Sequence, residues 1–478
     1  MDNGDTSVHA TLIRISAFDG FQPLPLGALC RGTAIRPSGK SISAIPAIRF
    51  SAVGLNTDAQ TFGEWFLLLT GMSIAVFLIL TAFFLVLISV LHIPLPDGIC
   101  DRHKIQLLEF LLRVSNEYLG DLVETIFGPA GRNHLTRFLV ALPYLFQSKP
   151  PKWCTVNNET IAGVKCRVYV PSKEMRKSNA AIVFIHGGGW CIMRPKYYDG
   201  AMFTFIARLG MPIISIDYQL SPEVQYPVAV EECEAVVKAL YNEKYTDYGI
   251  DRERIAVMGD SAGGNLSAVL AQRLRRQNLS IVKRQILVYP VVHGFDFQSP
   301  SYQFYYRHYN GTALLNPHSM ARFYLLYLGL PLTRENIQKV MQNKHISREV
   351  RNSPKIVELL NHNQLPEEFL QKEDYEPLEA PEADKELSKR FEKLLEDPNI
   401  SPLVEKELSG LAPAMILTCG FDILRDEGIL YVRKLRKHGV STQWNHYPAA
   451  FHGVLNMPSS SQRKQIFDDI TAYIKQNL

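Results

Sequence analysis

The chain lacks the signatures of several common chemistries. No G-x-x-x-x-G-K-[ST] and no helix-opening G-x-G-x-x-G occurs, which excludes a P-loop and a dinucleotide fingerprint. The seven cysteines form no C-x-x-C and no zinc-ligand spacing, so neither a metal nor an organic cofactor is implied. Net charge is only +4 in 478 residues, with no basic aromatic stripe, and nothing draws the chain to nucleic acid. Repeats are absent too. One further absence is local: about 27 residues from Trp65 to Leu91 carry no charge, roughly 40 Å as a helix against roughly 30 Å of bilayer core. That stretch reads as a transmembrane helix.

What is present points to a serine nucleophile. The apolar run Ile255 to Met258 leads into Gly259, Asp260, Ser261, Ala262 and Gly263, and an apolar-periodic stretch follows. Strand, sharp turn and helix are thus predicted, with the two glycines removing side chains that would collide in such an elbow. Upstream, Ala180 to Ile185 reads as a buried strand running into His186, Gly187, Gly188, Gly189 and Trp190. Glycine amides approach a ligand closely, so this loop and the amide of Ala262 form a candidate oxyanion hole. Near the C-terminus, a strand from Ala414 to Cys419 delivers Asp422, a helix from Leu424 to Lys437 ends at Gly439, and a second strand turns around Pro448 to deliver His452. The order Ser261, Asp422, His452 suits a nucleophile, an orienting acid and a general base. His446 in a strand and His438 at a helix end have structural explanations, and Asp426 and Glu427 fall inside the helix.

From about Thr155 to Leu478 the chain resembles the arylacetamide deacetylase family, in the hormone-sensitive-lipase group of α/β-hydrolases. The resemblance rests on His186 to Trp190, Gly259 to Gly264, Asp422 to Asp426 and Phe451 to Gly453. It implies an α/β-hydrolase fold, a membrane-anchored esterase with Ser261, Asp422 and His452 catalytic, and an oxyanion motif at His186, Gly187 and Gly188. It also implies a disulfide between Cys191 and Cys419, for which two small buried hydrophobes are the alternative. Cys154 and Cys166, flanking a predicted hairpin, are a weaker candidate pair. Two departures stand out: Gln219 where the family pattern has arginine, and Pro448, Ala449 and Ala450 before Phe451. They bear on the cleft wall and on the approach of His452.

The chain is expected to comprise a disordered extension over 1–64, the span over 65–91, a helical cap or membrane-proximal segment over 92–150, and a catalytic domain over 151–478 with a cap insertion near 294–411. Alternating strands and helices predict a mainly parallel sheet with helices on both faces. Arg49 before the span and Arg102, Lys104 and Arg113 after it mildly favour a cytosolic catalytic domain. The resemblance implies the opposite, a type II anchor with the domain in the endoplasmic reticulum lumen, and is preferred here. Sequons at Asn158, Asn278, Asn310 and Asn399 fit that side; a fifth, at Asn265, lies in the helix after the nucleophile and is expected to be buried. The expected activity is hydrolysis of lipophilic carboxylic esters, or of arylacetamides, through an acyl-serine, with the lipid bilayer as the other partner. A catalytically silent receptor or scaffold and an acyltransferase are the alternatives.

Overall fold

The computed structural model describes residues 58–145, 149–308, 315–457 and 460–478, with the side chains of 58–69, 72, 90, 91 and 116 outside the description. The expected disordered extension therefore lies outside it up to residue 57. Helix α1 spans Asp58–Leu91 and contains the expected membrane span, part of whose side chains are not described. Among the described residues no helix is long and apolar enough to cross a membrane.

Eight strands form one sheet in the order β1-β2-β4-β3-β5-β6-β7-β8: β1 Cys154–Ile161, β2 Val164–Pro171, β3 Ala181–Ile185, β4 Ile213–Ile216, β5 Ile255–Asp260, β6 Val282–Val288, β7 Ala414–Phe421 and β8 Thr442–Phe451. Pairing is antiparallel for β1-β2 and β2-β4 and parallel from β4 to β8. Each central strand is a continuous apolar run because both faces are covered. Val183 and Ile185 pack with α5 (Val228–Ala239) and α6 (Ala262–Arg276) on one face. Ile182 and Phe184 pack with α4 (Asp199–Leu209) and α14 (Ser461–Asn477) on the other.

Before the sheet, α2 (Arg102–Arg113), a π-helical turn (Val114–Leu119) and α3 (Gly120–Ala141) make up most of the helical segment expected over 92–150. The helical run kinks at Gly128, whose φ of 72° only glycine adopts readily, and continues beyond it. The insertion between β6 and β7 carries α7 (Pro300–His308), α8 (Pro317–Tyr327), α9 (Arg334–Met341), α10 (Arg348–Arg351), α11 (Pro354–Leu359) and α12 (Lys385–Leu395). Leu387, Phe391 and Leu395 form the buried stripe of α12, and Tyr302 and Tyr305 of the aromatic run are core. Helix α13 covers Arg425–Lys437.

The turn expected at Pro448 is instead strand. β8 is the last strand in the sheet, so a residue without an N–H is tolerated there. Its partner β7 bulges between Cys419 and Phe421. A Cβ on Gly420 would lie 2.0 Å from the Pro448 carbonyl oxygen, so only glycine fits this close approach.

Candidate active site

The carboxyl ends of β3, β5, β7 and β8 deliver the loop from His186, Ser261, Asp422 and His452 to one side of the sheet, where parallel α/β sheets hold their ligands. Ser261 adopts φ 54° and ψ −121° between β5 and α6, a conformation that persists only when its surroundings enforce it. A Cβ on Gly263 would sit 2.0 Å from the Ile185 carbonyl oxygen, and one on Gly259 would sit 2.3 Å from that of Gly263. Backbone contact on both sides therefore dictates the glycines.

His452 Nε2 lies 2.9 Å from Ser261 Oγ and its Nδ1 lies 2.8 Å from Asp422 Oδ2. A carboxylate only accepts, so Nδ1 carries the proton and Nε2 is left to accept from the Ser261 hydroxyl. The second Asp422 oxygen accepts the Leu424 amide at 2.9 Å, which fixes the carboxylate plane. The Tyr289 ring packs against the imidazole at 4.6 Å between centroids. Ser261, Asp422 and His452 thus meet in space although 191 residues separate Ser261 from His452.

The oxyanion loop departs from expectation at its first two members. The Gly187 amide donates to Asp260 Oδ1 at 2.9 Å and to the Tyr198 hydroxyl at 3.1 Å, so it is committed and cannot serve an oxyanion. His186 is fully buried, its ring stacked on Tyr218 at 4.3 Å. Burial lowers its pKa to about 4, and the neutral ring anchors the loop from behind. Gly188 and Gly189, at φ 98° and 57°, line the cavity beside Ser261, and Ala262 opens α6. These three remain the candidates for the oxyanion role.

Sequence reasoning missed Asp260 and Tyr198. Tyr198 donates to Asp260 Oδ2 at 3.0 Å, so one buried carboxylate ties the glycine loop to the strand that carries the nucleophile. Burial raises the Asp260 pKa to about 6. Its signal was an acidic residue directly before the serine, where a solvent-facing turn needs none. Tyr289, the platform under His452, gave no comparable signal.

Ser261 opens into a cavity of about 310 Å³. Apolar side chains dominate near the serine, among them Ile192, Met193, Met320, Phe323 and Phe451, while Leu108, Asn133 and Thr136 come from α2 and α3. Arg322 on α8 pairs with Glu124 of α3 at 2.9 Å, which joins the two cap elements over the site. Among the described residues no group of His, Cys, Asp and Glu could hold a metal ion.

The remaining sequence expectations divide. Cys191 and Cys419 are unbridged buried thiols. Cys191 lies in the loop beyond β3 and Cys419 on β7. Cys154 and Cys166 are free as well: Cys166 pairs in register with Glu159, roughly 17 Å along β1 from Cys154, beyond disulfide reach. Burial pushes the Cys191 thiol up to about 12. Asp426 accepts the Ser301 amide and Glu427 those of Val292 and His293, so both carboxylates serve the insertion. His446 bonds to Thr418, and Gln219 to Glu232. Asn158 and Asn278 are exposed and Asn399 is half-buried, whereas Asn310 lies outside the described residues. Asn265 is buried, donating to the carbonyls of Val291 and Ile400.

Comparison with known proteins agrees with this arrangement. The alpha/beta hydrolase fold family matches residues 182–357 and 352–456. Arylacetamide deacetylase of Bos taurus is 34% identical over 376 residues, 76% of this chain and 90% of that protein. Neutral cholesterol ester hydrolase 1 of Mus musculus is 31% identical over 382 residues, 76% of this chain and 89% of that protein. Among solved structures, a hyperthermophilic esterase from the archeon Pyrobaculum calidifontis is similar with a TM-score of 0.56 at 25% identity, covering 80% of this chain and 99% of that one. The chain belongs to the arylacetamide deacetylase family of α/β-hydrolases and is an esterase- and lipase-like enzyme of carboxylic ester hydrolysis.

Proposed function

We propose that the protein is a membrane-anchored serine esterase that cleaves lipophilic carboxylic esters through an acyl-enzyme on Ser261. The observation that carries this reading is the hydrogen-bonded line from Ser261 through His452 to Asp422, at 2.9 and 2.8 Å, opening into a largely apolar cavity. Ser261 Oγ attacks the ester carbonyl while His452 Nε2 takes its proton, and Asp422 stabilises the resulting imidazolium. Amides of Gly188, Gly189 and Ala262 receive the oxyanion. His452 returns the proton to the departing alcohol, then activates a water that releases the acid and frees the serine.

Substrate class and location extend this reading. The relatives' names speak of arylacetamides and of cholesterol esters, and an amide differs only in its poorer leaving group. The charge-free stretch over 65–91 supports a membrane anchor. A lumenal catalytic domain in the endoplasmic reticulum fits the exposed sequons Asn158 and Asn278; a mobility shift on deglycosylation, reduced in Asn158→Gln/Asn278→Gln, is the expected result.

Fluorophosphonate labelling of the native chain against Ser261→Ala tests the chemistry. Labelling is expected in the first only, with ester turnover falling by about 10⁴ or more in the variant. A native chain that does not label would favour the silent receptor or scaffold. Transfer of the acyl group to an acceptor other than water would make the protein an acyltransferase.

A further inference from the structure

The polarity of α2 and α3 is inverted. Ile105, Glu109 and Arg113 share the inner face of α2, where Glu109 and Arg113 form an ion pair at 2.6 Å with Glu109 0% exposed. In α3, Arg132 is buried against Asp121 and Glu124. Arg102, His103 and Lys104 in the first turn of α2 and Thr125 and His134 on α3 are exposed, but most of the bare surface is apolar: Leu107 and Leu111 one turn apart on α2, Leu122, Ile126 and Phe127 on α3, and Phe138 beyond the kink, with Phe127 69% exposed. A helix in water shows the reverse order, apolar inward and charged outward.

This exposure is confined. Of the exposed large apolar side chains among the described residues, twelve lie in α1, ten between Leu107 and Leu145, and three elsewhere. The chain leaves its charge-free stretch at Leu91 and enters α2 at Arg102, so the hairpin is tethered within roughly 35 Å of that end. The same two helices supply Leu108, Asn133 and Thr136 to the wall of the Ser261 cavity. Arg137 fixes them to the body, donating to the Cys191 and Ser221 carbonyls.

We infer that the outer face of α2 and α3 lies in the bilayer interface, so that the cavity mouth is immersed in lipid and an ester substrate reaches Ser261 from the membrane rather than from water. This rests on the esterase reading for its substrate, but not for its lipid contact. Apolar helix faces of this kind sink about 5–10 Å into the boundary between headgroups and acyl chains, and here burial keeps the charges of Glu109, Arg113 and Arg132 out of that layer. The acyl chain then passes from one apolar environment to another without crossing water.

Two measurements on the full chain in phosphatidylcholine vesicles test the inference. A nitrobenzoxadiazole probe on Phe127→Cys should emit at shorter wavelength and be quenched by spin-labelled lipid, while the same probe on Val357→Cys, also exposed but far along the chain, should report water. The six described native cysteines are buried, and the unsubstituted protein serves as the labelling blank. A probe at 127 that senses water overturns the proposal. So does a blue-shifted probe that lipid does not quench, which would indicate a second copy or another protein on this face.

The second measurement compares two esters of one fluorogenic phenol, an oleate dissolved in the vesicles and a water-soluble acetate. In Leu122→Glu/Ile126→Glu/Phe127→Glu, oleate turnover should fall by about tenfold or more while acetate turnover stays within about twofold. Equal retention of both activities overturns the lipid route. If the triple variant loses both, misfolding is indicated and the singly labelled variant decides. If the native chain cleaves neither ester, the esterase reading fails, and the probe depth at 127 still decides the lipid contact.

Discussion

Around Ser261 the polar groups turn toward one another inside a shell of apolar side chains, with helices sealing both faces of the sheet. Along α2 and α3 the Glu109–Arg113 pair and the Arg132 guanidinium are sealed and a row of large apolar side chains is bare. Both regions wall the same cavity. The first is built as a water-soluble core is built, with backbone contact so close that single atoms matter. The second is built for surroundings less polar than water, and its outer surface carries little of the folding energy. Substitutions should therefore behave differently in the two regions.

The largest effect is expected at the elbow. Gly263→Ala places a methyl 2.0 Å from the Ile185 carbonyl oxygen, a clash that no rotamer change relieves, and should cost about 4 kcal/mol or more of stability. Chemical denaturation measures it; a loss below about 1 kcal/mol would mean that the strand and helix ends can part.

Next comes the sealed ion pair of the hairpin. Glu109→Leu removes the buried carboxylate that accepts from the Arg113 guanidinium and should destabilise by about 3 kcal/mol, whereas Glu109→Leu/Arg113→Met should recover most of that loss. Failure of the double variant to recover would show that the pair, rather than the bare face around it, holds the hairpin in place.

Acidification probes the sheet side. His186 and His293 have folded pKa values of about 4 and His345 of about 3, each lowered chiefly by burial. The unfolded chain binds protons below about 6.5 that the folded chain refuses. Their contribution is thus complete above about 6.5 and is lost as pH falls toward 4, on the order of 1–2 kcal/mol per histidine by pH 5. Asp260, raised to about 6, and Glu427, raised by burial, act in the opposite sense and offset part of it. The net expectation is a melting temperature several degrees lower at pH 5 than at pH 7. An unchanged value would mean that the carboxyls cancel the histidines.

The smallest effect belongs to the bare face. Leu122→Ser should leave stability in detergent within about 0.5 kcal/mol of the native value. A loss of about 2 kcal/mol would mean that this side chain is covered by protein and that the two regions differ less than their exposure suggests.

Much of the site was legible because the chemistry is local at each member. Ser261 and Asp422 each follow an apolar run that reads as a buried strand, His452 follows a second, more polar strand, and glycines mark the places where backbones touch. Gly187 was misassigned because the sequence shows which loop has free amides but not which amide a neighbour has already claimed. The claimant, Asp260, is 73 residues away. The Cys154–Cys166 pair, suggested by the hairpin, failed for a related reason: strand register, not sequence proximity, sets the distance. In the hairpin, helical periodicity was readable, yet the sign of its polarity was not.

The sequence by itself determined the strands, the elbow, the order of its reactive residues and the apolar content of the first helices, because these depend on side-chain size and on contacts within a few residues. Tertiary structure alone decided that His452 reaches Ser261, that Asp260 holds the glycine loop, and that Glu109 and Arg113 turn inward while Phe127 turns out. Those outcomes depend on which surfaces meet across long separations, where packing and the cost of stranding a charge outweigh any local preference.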